Sequence, residues 1–227
     1  MTIETAMILA AGRGSRLRPL TDRTPKPLLE VRGRTLIEHH LVRLAAAGIH
    51  RVVVNLHHLG EAIRARVGDG QRYGLEVRYA PEPVLLETAG GIIAALPLLA
   101  EDPFLVVNGD VLCDLDFTGL TEGPGDALAH LVMVPNPAWR EGGDFDLADG
   151  DAERARLVAR PNAGLTYAGI GSYRAALFAG WAPGPRPLRP VLDAAIAEGR
   201  ITGEIHRGRW DDIGTVARLA AARADED

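Results

Sequence analysis

Short apolar runs alternate with amphipathic stretches through the first half of the chain, and the first of them, Met7 to Ala11, stops at Gly12 and Gly14. That alternation predicts a parallel sheet with crossover helices, because parallel strands need a long return connection and the helix supplies it. The expected strands are Met7–Ala11, Arg51–Leu56, Glu76–Tyr79 and Phe104–Asn108. The expected helices are Leu36–Ala47, closed by Gly48, then Glu61–Val67, closed by Gly68, and Gly91–Leu99. Ligands of such open sheets sit beyond the carboxyl ends of the strands. Gly12, Asn108 and Asp110 fall at those ends.

The pattern changes after Leu115. Ala127–Pro135 and Leu165–Tyr173 read as strands, separated by a polar Gly/Asp-rich segment from Glu141 to Glu153. Leu188–Ala197 reads as a helix, Trp181–Pro190 as a stiff proline-rich connection, and Thr215 as the cap of a last helix to Ala224. No internal repeat and no linker composition interrupts the chain. The expectation is one domain over residues 1–227, with a first half to about 115 and a second half after it.

The loop after the first run carries Arg13, Arg16, Arg18, Arg23 and Lys26, the last between Pro25 and Pro27. Glycines let the backbone approach a ligand closely, and free N–H groups in such a turn cradle anions. The prolines are expected to hold Lys26 in an extended segment that does not enter a helix. A dinucleotide fingerprint would need glycine where Leu17 stands, and a P-loop would need Ser or Thr where Pro27 stands. With a formal net charge of −5, nucleic acid and anionic membranes are poor partners, so an anionic substrate must be caught by this local basic patch.

Taken together, Gly12-Arg13-Gly14-Ser15-Arg16-Leu17-Arg18-Pro19-Leu20-Thr21 followed by Pro25-Lys26-Pro27 resembles the signature of the sugar-1-phosphate nucleotidyltransferases. The resemblance spans Ala6 to Thr215 and is nearest to the short bacterial members that act on N-acetylmuramate 1-phosphate. It implies a Rossmann-like α/β fold, a mostly parallel twisted sheet flanked by helices. No β-helix of hexapeptide repeats is expected, which argues against a bifunctional enzyme. The implied reaction joins an NTP to a sugar 1-phosphate and releases pyrophosphate. Lys26 would serve the α-phosphate and the attacking phosphate, and Arg16 the leaving pyrophosphate. Ala10, Ala11, Gly12, Arg13, Gly14 and Asn108 would line the nucleotide site.

Three further segments extend the resemblance. Val106-Val107-Asn108-Gly109-Asp110 puts a carboxylate at the mouth of a strand; on its own this is an ordinary turn, and beside the Lys26 signature it matches the family's metal-binding aspartate. Trp210-Asp211-Asp212-Ile213-Gly214-Thr215 matches a late motif whose register gives the second carboxylate to Asp212, with Asp211 as the alternative. Mg²⁺, with Mn²⁺ as a substitute, is the implied cofactor. Leu86-Glu87-Thr88-Ala89-Gly90-Gly91 resembles the base-binding loop, giving Glu87, Thr88 and Gly90 as base and ribose contacts, with Thr88 also as a helix N-cap. Gly143-Asp144-Phe145 resembles a sugar-binding segment, with Thr166 and Gly169 as further sugar contacts and Arg140 as a donor to an acidic sugar substituent.

UTP and N-acetylmuramate 1-phosphate are the expected substrates, which would place the enzyme in peptidoglycan recycling. Mannose or heptose 1-phosphate with GTP, a phosphocholine-type cytidylyltransferase, and a non-catalytic nucleotide-sugar-binding subunit are the alternatives. Small molecules are the expected partners. The lone Cys113 and the absence of a membrane-length apolar run lead to a cytoplasmic expectation. His39-His40 and His57-His58 are adjacent pairs without metal spacing, Cys113 has no catalytic flank, and no nucleophile elbow is present.

Overall fold

The computed structural model describes residues 2–148 and 154–224. The strands are β1 (Thr5–Leu9), β2 (Glu30–Val31), β3 (Arg34–Thr35), β4 (Arg51–Leu56), β5 (Glu76–Pro81), β6 (Phe104–Asn108), β7 (Val111–Cys113), β8 (Ala129–Pro135), β9 (Asp146–Leu147), β10 (Ala155–Val158), β11 (Leu165–Tyr173), β12 (Ile201–Ile205) and β13 (Trp210–Asp212). The helices are α1 (Leu36–Ala46), α2 (Gly60–Val67), α3 (Glu87–Leu99), α4 (Leu188–Ala197) and α5 (Val216–Ala224). Among these helices none is long and apolar enough to cross a membrane. The end of the polar segment expected over 141–153 lies outside the described residues from 149 on.

Nine strands form one sheet in the order β5-β4-β1-β6-β11-β8-β12-β10-β9, continuous across both halves of the chain. The pairs β5–β4, β4–β1, β1–β6 and β8–β12 are parallel, so β11 and β10 are the strands that run against the rest. Chain order reverses between β1 and β6. From β1 the chain moves outward through β4 and β5, then returns through α3 to the other flank. That reversal opens a crevice at the carboxyl ends of β1 and β6.

The alternation of side chains along each strand feeds two cores. Met7, Val53 and Val106 face α3 and α4, while Ala6, Ile8, Val52, Val54 and Val107 face α1 and α2. A third cluster, Leu17, Leu29, Val31, Leu36, Leu112, Ile213, Leu219 and Ala222, fastens the arginine-rich loop to β7, β13 and α5. The α1 helix opens with a capping box, in which the Thr35 N–H and hydroxyl both donate to Glu38.

Two readings are corrected at the level of elements. Lys26–Leu28 forms one turn of 3₁₀ helix rather than an extended segment. Pro27 sits in its first turn, where a missing N–H goes unnoticed. Thr88 does not cap α3: the helix begins at Glu87 with Leu86 in the cap position, and no side chain caps it.

Candidate active site

Two clefts open at the carboxyl edge of the sheet. The smaller, about 550 Å³, is lined by Ala10, Ala11, Gly12, Lys26, Asn55, Glu82, Glu87 and Thr88 among others. The larger, about 980 Å³, is lined by Arg16, Trp139, Arg140, Thr166, Gly169, Trp210, Asp212 and Arg218 among others. Asn108, Asp110 and Tyr167 belong to both, so the clefts meet at these three residues.

Lys26 is at that junction, 8% exposed. A lysine this buried requires a charged partner. Lys26 Nζ donates to Asp110 Oδ2 and lies 3.8 Å from Asp212 Oδ1. The two aspartates, one from the middle of the sequence and one from near its end, are brought together by a short ribbon. Asp212 pairs with Val111 in the β13–β7 ladder, and the Ile213 N–H donates to the Asp110 carbonyl. Asp211 pairs with Leu112 and is absent from both clefts, which makes Asp212 the carboxylate that faces Asp110. The other Asp212 oxygen accepts from Arg218 Nη1 at 3.2 Å, and the Arg218 guanidinium lies 4.0 Å over the Trp139 ring.

A buried polar relay supports the smaller cleft. The Ala10 N–H donates to Asn55 Oδ1 at 2.7 Å, and Asn55 Nδ2 donates to Glu82 Oε1 at 2.7 Å. Glu82 Oε2 accepts the Leu86 N–H at 3.0 Å. The end of β1 and the segment before α3 are thus held to one another through two side chains that the motifs did not include. Asn55 did leave a signal in the sequence: it is a polar residue inside the apolar run Val52-Val53-Val54-Asn55-Leu56. Glu87 has φ +58°, a left-handed conformation that side chains rarely adopt, at the cleft wall.

Several expected contacts have other local duties. Gly14, at φ +60°, forms a tight turn against Thr21, whose hydroxyl donates to the Gly14 carbonyl; neither Gly14 nor Arg13 lines a cleft. Gly90 packs on the proline-rich loop, where an added Cβ would stand 2.3 Å from the Gly184 carbonyl oxygen; it too lies outside the clefts. Arg16, expected beside the leaving pyrophosphate, stands in the larger cleft against Gly214 and Asp212 rather than with Ala10–Gly12. Gly169, at φ +76°, sits in an irregularity of the β11–β8 ladder and lets Asn108 approach; a Cβ there would lie 2.5 Å from Asn108 Nδ2. Thr166 lines the larger cleft while its hydroxyl donates to Asn136.

Asp144 departs most from expectation. Both of its oxygens are taken by Arg140, at 2.6 and 3.0 Å, and one of them also accepts the Tyr167 N–H. Asp144 lines neither cleft, and Arg140 and Tyr167 occupy three of its acceptor positions.

Among the described residues no group of three or more His, Cys, Asp and Glu side chains could hold a metal. Two facing carboxylates suit a hard ion that draws its remaining ligands from phosphates and water, the mode of Mg²⁺. Asp110 and Asp212 are paired with Lys26 and Arg218, cations with which a bound ion would share the two carboxylates.

The chain matches the family described as Nucleotidyl transferase over residues 5–136. It is 49% identical over 225 residues to the N-acetylmuramate alpha-1-phosphate uridylyltransferase of Neisseria meningitidis serogroup B, covering 96% of each. The protein of the same description from Caulobacter vibrioides is 35% identical, covering 96% of this chain and 95% of the relative. HddC from Yersinia pseudotuberculosis, 20% identical, shares the fold with a TM-score of 0.79 over 98% of this chain and 99% of its own. The matched span contains Lys26, Asn55, Glu82 and Asp110, and with relatives alike over nearly the whole chain it belongs to the sugar-1-phosphate nucleotidyltransferases of the nucleotidyl transferase family.

Proposed function

We propose that this enzyme transfers a uridylyl group from UTP to N-acetylmuramate α-1-phosphate, giving the UDP-sugar and pyrophosphate. The observation that carries the reading is the meeting of two clefts at Asp110, with buried Lys26 beside it. The choice of base and sugar is drawn from the names of the two relatives. UTP would occupy the smaller cleft, with its phosphates over Gly12 and Lys26. The sugar phosphate would enter the larger one, toward Asp212 and Arg16.

The attacking sugar-phosphate oxygen is already ionised at neutral pH, so no protein base is needed. It forms a bond to the α-phosphorus as the bond to pyrophosphate breaks, and the catalytic task is positioning two mutually repelling anions. Lys26 neutralises charge at the point of transfer, and its short 3₁₀ turn, preceded by Pro25 and containing Pro27, holds it there before substrate arrives. Asp110 and Asp212 would hold Mg²⁺ or Mn²⁺, which would supply charge neutralisation to the phosphates. The reading places the protein in the cytoplasm, in the reuse of cell-wall sugars.

The test is pyrophosphate release across UTP, GTP, CTP and dTTP against N-acetylmuramate, N-acetylglucosamine, glucose and mannose 1-phosphates. UTP with N-acetylmuramate 1-phosphate is expected to be fastest. Mannose 1-phosphate with GTP turning over faster by about tenfold, a 1.4 kcal/mol preference, would overturn the substrate assignment and leave the reaction class standing.

A further inference from the structure

The larger cleft is lined by three cations, Arg16, Arg140 and Arg218. Two of them are committed to its phosphate end. Arg218 bonds Asp212 and stacks on Trp139, and Arg16 lies against Gly214 beside Asp212. Arg140 is different. It stands on the loop between β8 and β9, and its backbone is fixed at both ends: its N–H donates to the Pro137 carbonyl, and its carbonyl accepts Asn136 Nδ2. Its guanidinium is fixed as well, gripped through Nη1 and Nη2 by Asp144. A guanidinium carries five N–H donors, so three remain for the cleft.

Asp144 is itself anchored. It accepts the Tyr167 N–H at 2.9 Å, and Arg189 Nη1 lies 3.8 Å from Oδ1. Arg189 is paired more closely with Asp193, at 2.7 Å, so Asp144 is left chiefly to Arg140, and what Arg140 brings to the cleft is its unused N–H donors. Arg140 faces the larger cleft and Arg189 the smaller, with Asp144 between them outside both. Holding a flexible arginine in one orientation lowers the entropic cost of binding an anion to it.

We infer that Arg140 reads an acidic substituent on the sugar, the lactyl carboxylate under the function proposed above, and that Asp144 is the positioning residue that aims it. Asp144 acts on that substituent through Arg140. A guanidinium offers paired donors that match the planar carboxylate, whereas a neutral sugar gives it only hydroxyls. The loop therefore contributes specificity between sugars, and the phosphate end contributes the chemistry.

The experiment rests on the proposed substrate and separates the two readings. kcat/KM is measured with UTP for N-acetylmuramate 1-phosphate and for N-acetylglucosamine 1-phosphate, which has the same ring without the lactyl acid. The enzymes are wild type, Arg140→Gln, Arg140→Lys and Asp144→Asn. In wild type the acidic sugar is expected to be preferred; a preference for the neutral one overturns the substrate assignment and this inference with it. In Arg140→Gln the acid-over-neutral ratio is expected to fall at least about tenfold, as for the loss of a charged hydrogen bond, chiefly through KM. Arg140→Lys should restore part of it, and Asp144→Asn should lower it in the same direction by less. An arginine that merely staples the loop would lower both rates together. A ratio within about twofold of wild type in Arg140→Gln, with the wild-type preference intact, would overturn the role of Arg140 alone.

Discussion

Lys26 loses nearly all of its hydration on folding and recovers it through Asp110 and Asp212, so its charge is set in place before any substrate binds. Replacing it by Met removes the cation and keeps the stem. Turnover is expected to fall by about 10²–10³, the usual cost of one preorganised contact to a transition state. The fold should survive, because Asp110 is 35% exposed and water can take the place of the ammonium. Steady-state pyrophosphate release with a thermal melt alongside checks both halves; a variant with more than a third of wild-type turnover would make Lys26 structural. The carboxylates give a companion prediction. EDTA should abolish activity, and Asp212→Asn should raise the Mg²⁺ concentration needed for half-maximal rate, since one of two hard anionic ligands is lost. An unchanged Mg²⁺ titration would remove Asp212 from the metal site.

At the level of elements, the close approach of the first turn of α3 to the proline-rich loop depends on one missing side chain. Gly90 meets the Gly184 carbonyl, and the N–H groups of Ala89 and Gly90 both donate to the Arg186 carbonyl. Gly90→Ala would force helix and loop apart, with an expected loss of about 1–3 kcal/mol by denaturant unfolding and a raised KM for UTP. A neutral effect on both would show that the two have room to part. The start of α1 titrates. Burial alone would raise the Glu38 carboxyl, but hydrogen bonds from Arg66, from the N–H and hydroxyl of Thr35 and from Tyr73 hold it at about 2. A carboxyl lowered in the folded state stabilises above its ordinary value near 4.5 and loses that stabilisation as pH falls toward 2. Glu38→Gln should therefore cost about 1–2 kcal/mol near neutrality, discounted for the exposed arginines, and the gap should close as pH drops below 4.5. A gap that stayed constant from pH 7 to 3 would contradict the assignment.

On the scale of the whole molecule, what could be read from the sequence divides along local against distant causes. Arg51–Leu56, Phe104–Asn108, Leu165–Tyr173 and Leu188–Ala197 were expected with the bounds they have, because each is a long apolar or amphipathic run with its own stop. β12 was missed, its Ile201-Thr202-Gly203-Glu204-Ile205 being short and interrupted by glycine, and β13 is three residues of mostly polar character that are a strand only because β7 pairs with them. The same divide holds in the site. Lys26 and Asp110 stand in motifs, whereas the duty of Asp144 is fixed by Arg140, Tyr167 and Arg189, which no spacing reveals.

The distant causes converge on α5, which holds the late motif against the front loop. Leu219 is 1% exposed and packs in the cluster that contains Leu17 and Leu29 of that loop and Ile213 of the motif. The hydroxyl of Thr215 caps the helix, and Arg218, one residue before Leu219, bonds Asp212. Leu219→Ala would leave a cavity worth about 2–5 kcal/mol behind the wall of the larger cleft, which Leu219 does not line. If the cluster positions Asp212, the variant should also need more Mg²⁺ for half-maximal rate, at temperatures where a melt finds it fully folded. A comparable loss of stability made elsewhere, for instance Ile63→Ala under α2, should leave the Mg²⁺ titration where it was. Equal Mg²⁺ curves for Leu219→Ala and wild type would mean that the β7–β13 ribbon alone sets the spacing of the two aspartates, with α5 only covering it.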